Sequence, residues 1–279
     1  MTNLQEIVKI LTDSGIEPNE AAVEVKLLLE HFANYGYKDI ILGKKLTAEN
    51  IELIKEKAEL RAKTRRPVQH IIGFADFMGQ KFIVNENVLI PRDETEILVR
   101  KAVELINDNN LKTALDVGTG SGIIACMTAM LTDCQIIGLD VSSDALNTAL
   151  DNASKLNLFN KAIFRKSDVF SNVKPGETFD IIISNPPYIP PSQRTGIQRE
   201  VEFDPQIALF TNDEKGLEFY EKITQSAPAI LNAGGWLLFE LGIGQAQEVK
   251  ELMQKDFEEI EIIKDLAGIE RVISGKKRF

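Results

Sequence analysis

Metal-binding residues are scarce in this 279-residue chain, which has two cysteines, Cys126 and Cys134, and two histidines, His31 and His70. No spacing such as Cys-x-x-Cys joins them, so a metal-dependent mechanism has no support and no metal site is expected. Cys126 stands among apolar residues and reads as a small core side chain. Long apolar runs are missing too: the longest, Ile123 to Leu131, contains Thr128 and is too short to span a bilayer. The N-terminus lacks a signal-peptide pattern, because Glu6 and Lys9 interrupt its apolar residues. A cytoplasmic protein with no membrane partner is expected. Positive charge is also in short supply, since 32 Lys and Arg stand against 42 Asp and Glu, a formal net charge of −10. Proteins that grip bare nucleic acid draw affinity from neutralising phosphates, so no direct nucleic-acid partner is expected. Internal repeats and low-complexity segments are absent.

Two patterns divide what remains. Residues 1–72 read as a small helical domain. Leu4, Ile7, Val8 and Leu11 recur at helical spacing behind a capping box, Thr2 with Gln5. Asn19 can cap a second helix carrying Ala22, Val23 and Leu27, and a third runs from about Thr47 to Thr64 with Ile51, Ile54 and Ala58 on one face. With no catalytic constellation, this bundle reads as a substrate-recognition module. Its dense basic run, Arg61-Ala-Lys-Thr-Arg-Arg66, is either a solvated helix end, where cations suit the dipole, or a docking patch. Pro67 stops the helical pattern. Residues 73–90 read as a linker built on a β-hairpin around Gly79-Gln80, and 91–279 as the catalytic domain, opening with a helix that carries Leu98, Ala102 and Leu105.

From Lys112 onward, short apolar strands alternate with helices. Strands are expected at 113–117, 135–139, 162–166, 179–184, 235–241, 259–264 and 271–274, and helices at 123–131, 143–156, 215–231 and 245–255. Such alternation implies a largely parallel α/β sheet covered on both faces. The last two strands have no helix between them, so a hairpin would place an antiparallel strand in the sheet.

The stretch Leu115-Asp116-Val117-Gly118-Thr119-Gly120-Ser121-Gly122 follows a strand and opens a helix. Glycine lets backbone turn sharply and approach a ligand closely. Asp140, ending the next strand, can accept the hydroxyl protons of a ribose. Nicotinamide and flavin enzymes prefer Gly-x-Gly-x-x-Gly or Ala, whereas Ile123 stands at the last position here. The order Gly118-x-Gly120-x-Gly122 behind Asp116 instead resembles motif one of the class I methyltransferases. That resemblance implies S-adenosyl-L-methionine as cofactor, held by Gly118, Thr119, Gly120, Ser121, Gly122 and Asp140, with Asp168 and Val169 facing its adenine and Asn185 adjoining it.

Asn185-Pro186-Pro187-Tyr188 follows the strand Ile181-Ile-Ile-Ser184, at the same sheet edge. A planar amide nitrogen is a poor nucleophile because its lone pair is delocalised, and it needs acceptors for its N–H bonds. Asn185 offers a side-chain carbonyl and Pro186 a backbone carbonyl stiffened by the two prolines. Tyr188 offers an aromatic face. No general base is evident or required, since positioning against an activated donor supplies much of the rate. The tetrapeptide resembles motif four of amino-methyltransferases.

End to end, the chain resembles the PrmC/HemK family, the glutamine methyltransferases of peptide chain release factors. The resemblance is carried by Arg66-Pro67-Val-Gln-His-Ile-Ile-Gly73, Leu89-Ile-Pro91-Arg92-Asp-Glu-Thr95-Glu96, Leu115 to Gly122, Ser184 to Ile189, Phe239-Glu240-Leu-Gly242 with Gln245, and Asp265-Leu-Ala-Gly268-Ile-Glu-Arg271. It implies a seven-stranded Rossmann-like sheet and a substrate glutamine in a Gly-Gly-Gln loop, with Asn185, Pro186, Pro187 and Tyr188 binding it. A glutamine methyltransferase of a ribosomal protein and a nucleic-acid amino-methyltransferase are the alternatives. A cofactor-sensing module without activity is the non-enzyme reading, against which Asn185 and Tyr188 argue. Arg92 and Glu96 can pair at the (i, i+4) spacing, and Glu240 can be a strand-end carboxylate with no chemical role.

Overall fold

Apolar side chains recurring every three or four residues draw the first helices together. These are α1 (Asn3–Asp13), α2 (Pro18–Phe32), α3 (Tyr37–Ile41), α4 (Ala48–Thr64) and α5 (Val68–Ile72), in a computed structural model that describes residues 3–279. Leu11 of α1, Leu28 of α2, and Ile54 and Ala58 of α4 are buried in one cluster. Thr47 caps α4 by accepting a hydrogen bond from the Asn50 N–H at 3.1 Å. The capping box at Thr2 lies outside the described residues. Asn19 does not cap α2. Pro18 already occupies the first helical position, where its missing N–H costs nothing. Pro67 breaks the pattern as expected, but it then serves as N-cap of the short α5, which Gly73 ends in the left-handed region at φ 78°.

Two arginines of the basic run are already engaged within the unit, one buried and one partly exposed. Arg61 is 1% exposed. Its Nε and Nη2 donate to the Glu24 carboxylate at 2.9–3.0 Å, and its Nη1 donates to Glu200 at 3.0 Å. Arg65 pairs with the same Glu200 and donates to the Ser14 carbonyl at 3.1 Å. Glu200 belongs here because Gln198–Phe203 forms one compact unit with Met1–Phe74. Burial pushes the Glu24 carboxyl above its usual range, with the hydrogen bond and charge of Arg61 pulling the other way.

The second unit comprises Ala75–Ile197 and Asp204–Phe279. Strands β1 (Phe74–Phe77) and β2 (Gln80–Ile83) form the expected hairpin. Helix α6 (Thr95–Asp108) leads into β3 (Thr113–Val117), α7 (Ile123–Leu131), β4 (Gln135–Asp140), α8 (Ser143–Lys155), β5 (Ala162–Lys166) and β6 (Phe179–Ser184). After these come α9 (Gln206–Leu209), α10 (Glu218–Ile230), β7 (Leu231–Glu240), α11 (Ala246–Met253), β8 (Phe257–Lys264) and β9 (Glu270–Lys277).

The seven-stranded sheet has the order β5-β4-β3-β6-β7-β9-β8. Its first five strands run parallel, and β9 is antiparallel to both neighbours. Helices α6, α7 and α8 bury one apolar cluster, including Cys126, Met127 and Ile181. Helices α10 and α11 bury another with Tyr220, Val249 and Phe239. Cover on both faces explains runs such as Ile181-Ile182-Ile183, apolar at every position. Burial pushes the Cys126 thiol up to about 12, which fits an inert core residue. The chain moves outward from β3 to β4 and β5, then returns to place β6 on the other side of β3. That reversal opens a crevice at the C-terminal ends of β3 and β6, where open α/β sheets bind ligands.

Candidate active site

The glycine loop is moored to the end of β4. Gly118 and Thr119 both donate their N–H to the Leu139 carbonyl at 2.8 Å. Gly120 N–H donates to Asp140 Oδ2 at 2.8 Å, and Ser142 N–H to Oδ1 at 2.9 Å. Gly122, at φ 76°, has no room for a side chain, because a Cβ there would stand 2.8 Å from that of Ala149. Asp116 lies beneath the loop and accepts the Thr119 hydroxyl at 2.6 Å. Complete burial pushes its carboxyl up to about 7.

A cavity of about 530 Å³ opens at this edge, a size suited to a nucleoside-sized ligand. Gly118, Thr119, Gly120, Ser121, Asp140, Asp168 and Val169 line it together with Asn185, Pro186 and Pro187. Gly122 and Tyr188 are not in the lining. The Asp140 carboxylate offers about four acceptor positions. Two are used by the backbone, which leaves capacity for the two hydroxyls of a ribose. Burial raises the Asp140 carboxyl above its usual range. Asp168 is exposed, and Val169 sits at φ 47°, a region that β-branched residues rarely enter. Ser167 holds that turn, donating to the Val169 carbonyl at 2.8 Å and accepting from the Asn172 N–H at 3.0 Å. These residues fit an adenosyl group: carboxylate capacity for a ribose, glycines at positive φ and a kinked turn beside them.

Register brings the second motif to the first. Ser184 of β6 stands opposite Val117 of β3, and its hydroxyl donates to the Val117 carbonyl at 2.7 Å. Asn185 therefore emerges beside Gly118. Its Nδ2 lies 3.4 Å from Thr95 Oγ1, and that hydroxyl donates to Glu240 Oε2 at 2.7 Å. Glu240 is 4% exposed, and burial pushes its carboxyl up to about 7 against hydrogen bonds from Thr95 and, more weakly, Asn185.

Tyr188 braces the loop from behind. Its ring packs so near Gly242 that a Cβ there would come 2.9 Å from Cδ2. Its carbonyl accepts Gln245 Nε2 at 3.1 Å, and a Cβ on Gly216 would collide with it. Burial pushes the phenol up to about 12.

The (i, i+4) pair Arg92–Glu96 does not form, because α6 begins only at Thr95 and Arg92 precedes it. Arg92 instead pairs with the buried Asp204 at 2.8 Å, while Glu96 takes the Met78 N–H at 3.0 Å and Arg100 at 2.9 Å. Sequence reading gave no role to Thr95, Gln245 or Gly216 and left Glu240 open. The available signal was a charged residue between buried Phe239 and Leu241.

Comparison with known proteins shows the family. Residues 93–201 match the Methyltransferase small domain family, and residues 3–73 match the PrmC N-terminal domain family. The chain is 37% identical over 279 residues to the release factor glutamine methyltransferase of Streptococcus pneumoniae, covering 97% of each. It is 37% identical over 275 residues to that of Koribacter versatilis, covering 95% of this chain and 96% of the relative. Among solved structures, a methyltransferase from Pyrococcus furiosus superposes with a TM-score of 0.52 at 20% identity, over 73% of this chain and 91% of that one. That last likeness supports the fold alone.

Proposed function

The chain belongs to the release factor glutamine methyltransferase family, and we propose that it transfers a methyl group from S-adenosyl-L-methionine to the side-chain amide nitrogen of the glutamine in the Gly-Gly-Gln motif of peptide chain release factors. The observation that carries this reading is the pairing of Ser184 with Val117, which sets Asn185 and Pro186 in one cavity with the glycine loop and Asp140. In the bound state the sulfonium supplies an electrophilic methyl group. Gly118 to Ser121 and Asp140 would hold the nucleoside, with Gly122 shaping the turn beneath them, and Asp168 and Val169 would border its base.

Asn185 Oδ1 and the Pro186 carbonyl accept the two N–H bonds of the glutamine amide. This orients the nitrogen for in-line attack, and such positioning supplies much of the rate. Tyr188 acts through the loop it braces. Because a glutamine side chain offers few handles, selection of the protein substrate falls to a second surface, which we assign to the helical unit. No helix of the described residues is long and apolar enough to cross a membrane. We read the enzyme as cytoplasmic and, from its net charge of −10, as one that takes protein rather than nucleic acid.

Radiolabelled methyl transfer to purified release factors, ribosomal proteins and RNA tests the reading. Label on the release factor glutamine is expected. Label on a ribosomal protein or on RNA alone would replace it.

A further inference from the structure

Two polar side chains, Thr95 in the cavity wall and Glu240 behind it, have no part in the chemistry above. Thr95 begins α6 and is 4% exposed, and Glu240 ends β7 equally buried. They come from elements 145 residues apart, yet Thr95 Oγ1 donates to Glu240 Oε2 at 2.7 Å. Charge-assisted hydroxyl bonds fall in this short range. Asn185 Nδ2 approaches the same hydroxyl oxygen at 3.4 Å.

We propose that Thr95 and Glu240 are positioning residues that fix which way the Asn185 amide is turned, so that Asn185 Oδ1 is left to accept the substrate amide. The proposal rests on the methyl-transfer reading for the role of Asn185. The number of available hydrogens fixes the orientation. A threonine hydroxyl has one proton to give, and the ionised Glu240 carboxylate receives it. Thr95 Oγ1 is then only an acceptor, and Asn185 must offer it Nδ2. The reversed amide would set two oxygens against each other and leave a donor unmet. Without Glu240, the Thr95 hydroxyl could rotate and donate to Asn185 Oδ1. The amide would then present its NH2 to a substrate that itself needs acceptors.

The neighbourhood keeps Glu240 in place. Tyr220 donates its hydroxyl to the Glu240 backbone carbonyl at 2.9 Å and accepts the Gly242 N–H at 3.2 Å. The charges that bear on the carboxylate are Glu94 and Arg271, and Arg271 pairs with Glu94 at 3.0 Å.

Two measurements test the arrangement. In single-turnover methyl transfer to a release factor, Thr95→Val should slow the chemical step about tenfold or more while cofactor affinity changes less than about twofold. Thr95→Ser, which keeps the hydroxyl, should recover most of the rate. In the Asn185→Ala background Thr95→Val should have no further effect, because the residue it acts through is gone. Full additivity of the two substitutions would overturn the proposal.

The second measurement needs no activity. In nitrogen–proton correlation spectra of the free enzyme, the Asn185 side-chain NH2 signals should shift as Glu240 titrates, Glu240→Gln should abolish the shift, and Thr95→Val should reduce it. Signals that ignore the ionisation of Glu240 in the wild type would sink the proposal even if transfer is observed. Failure of wild-type transfer with these shifts present would count against the substrate reading alone.

Discussion

Arg61 grips Glu24 inside the helical unit, its Nε and Nη2 donating to the carboxylate at 2.9–3.0 Å where both side chains are almost wholly buried. Removing one partner of a buried pair leaves the other charge uncompensated, typically at a cost of about 3–5 kcal/mol. Arg61→Ala should destabilise the helical unit by that order, read by urea unfolding of the full chain. A loss below about 1 kcal/mol would mean that the pair behaves as a surface one.

Asp140→Ala should weaken S-adenosyl-L-methionine binding by about 1–3 kcal/mol, the cost of unmaking hydrogen bonds at a buried site. The substitution also frees the Gly120 and Ser142 N–H groups, so the loop loosens as the ribose loses its acceptor. Calorimetric titration would show it, and wild-type affinity in the variant would remove Asp140 from the site. NAD should give no heat of binding.

Asn185→Ala should lower kcat by about 100-fold or more while leaving the cofactor dissociation constant within about threefold, since its acceptor serves the substrate amide. Equal losses in binding and turnover would show that the residue mainly shapes the cofactor end of the cavity.

Stability should fall as pH rises through the weakly acidic range. Burial raises the Asp116 carboxyl from 3.8 to about 7, so the folded chain holds a proton that the unfolded chain has released. The contribution is greatest below about pH 4, declines by roughly 1.4 kcal/mol per pH unit, and levels off above about pH 7. Asp116→Asn should flatten that slope while keeping an acceptor for the Thr119 hydroxyl. Unfolding free energies from about pH 5 to about pH 8 decide it. An unchanged slope in the variant would assign the effect elsewhere, Glu240 being the other carboxyl pushed to about 7.

Local patterns carried much of this fold in the sequence. Apolar runs marked the central strands β3 and β6 to the residue, because a parallel strand buried on both faces is largely apolar, and the short run Ala162-Ile163-Phe164 marked the edge strand β5. The glycines of the loop and Asp140 were legible because backbone conformation and strand-end position are written in a few adjacent residues. What escaped was contact across long separations. Arg61 and Glu200 are 139 residues apart, so an arginine read as part of a surface basic run is in fact buried. Glu240 showed where a strand ends, but the partner of its carboxyl lies 145 residues away. Tyr188 read as a ring for the substrate, and its place depends on Gly216, Gly242 and Gln245, none of them near it in the chain.

The clamp on Glu200 also bears on how such proteins could be recombined. A chimera exchanging only the first 74 residues would keep the Arg61–Glu24 pair but leave Arg61 Nη1 and Arg65 without Glu200, since Gln198–Phe203 would stay behind with the recipient. The helical unit is thus a discontinuous cassette. Grafts that move both stretches together should be the more stable, while those cut at a single junction should lose stability unless the recipient already carries an acidic residue at position 200.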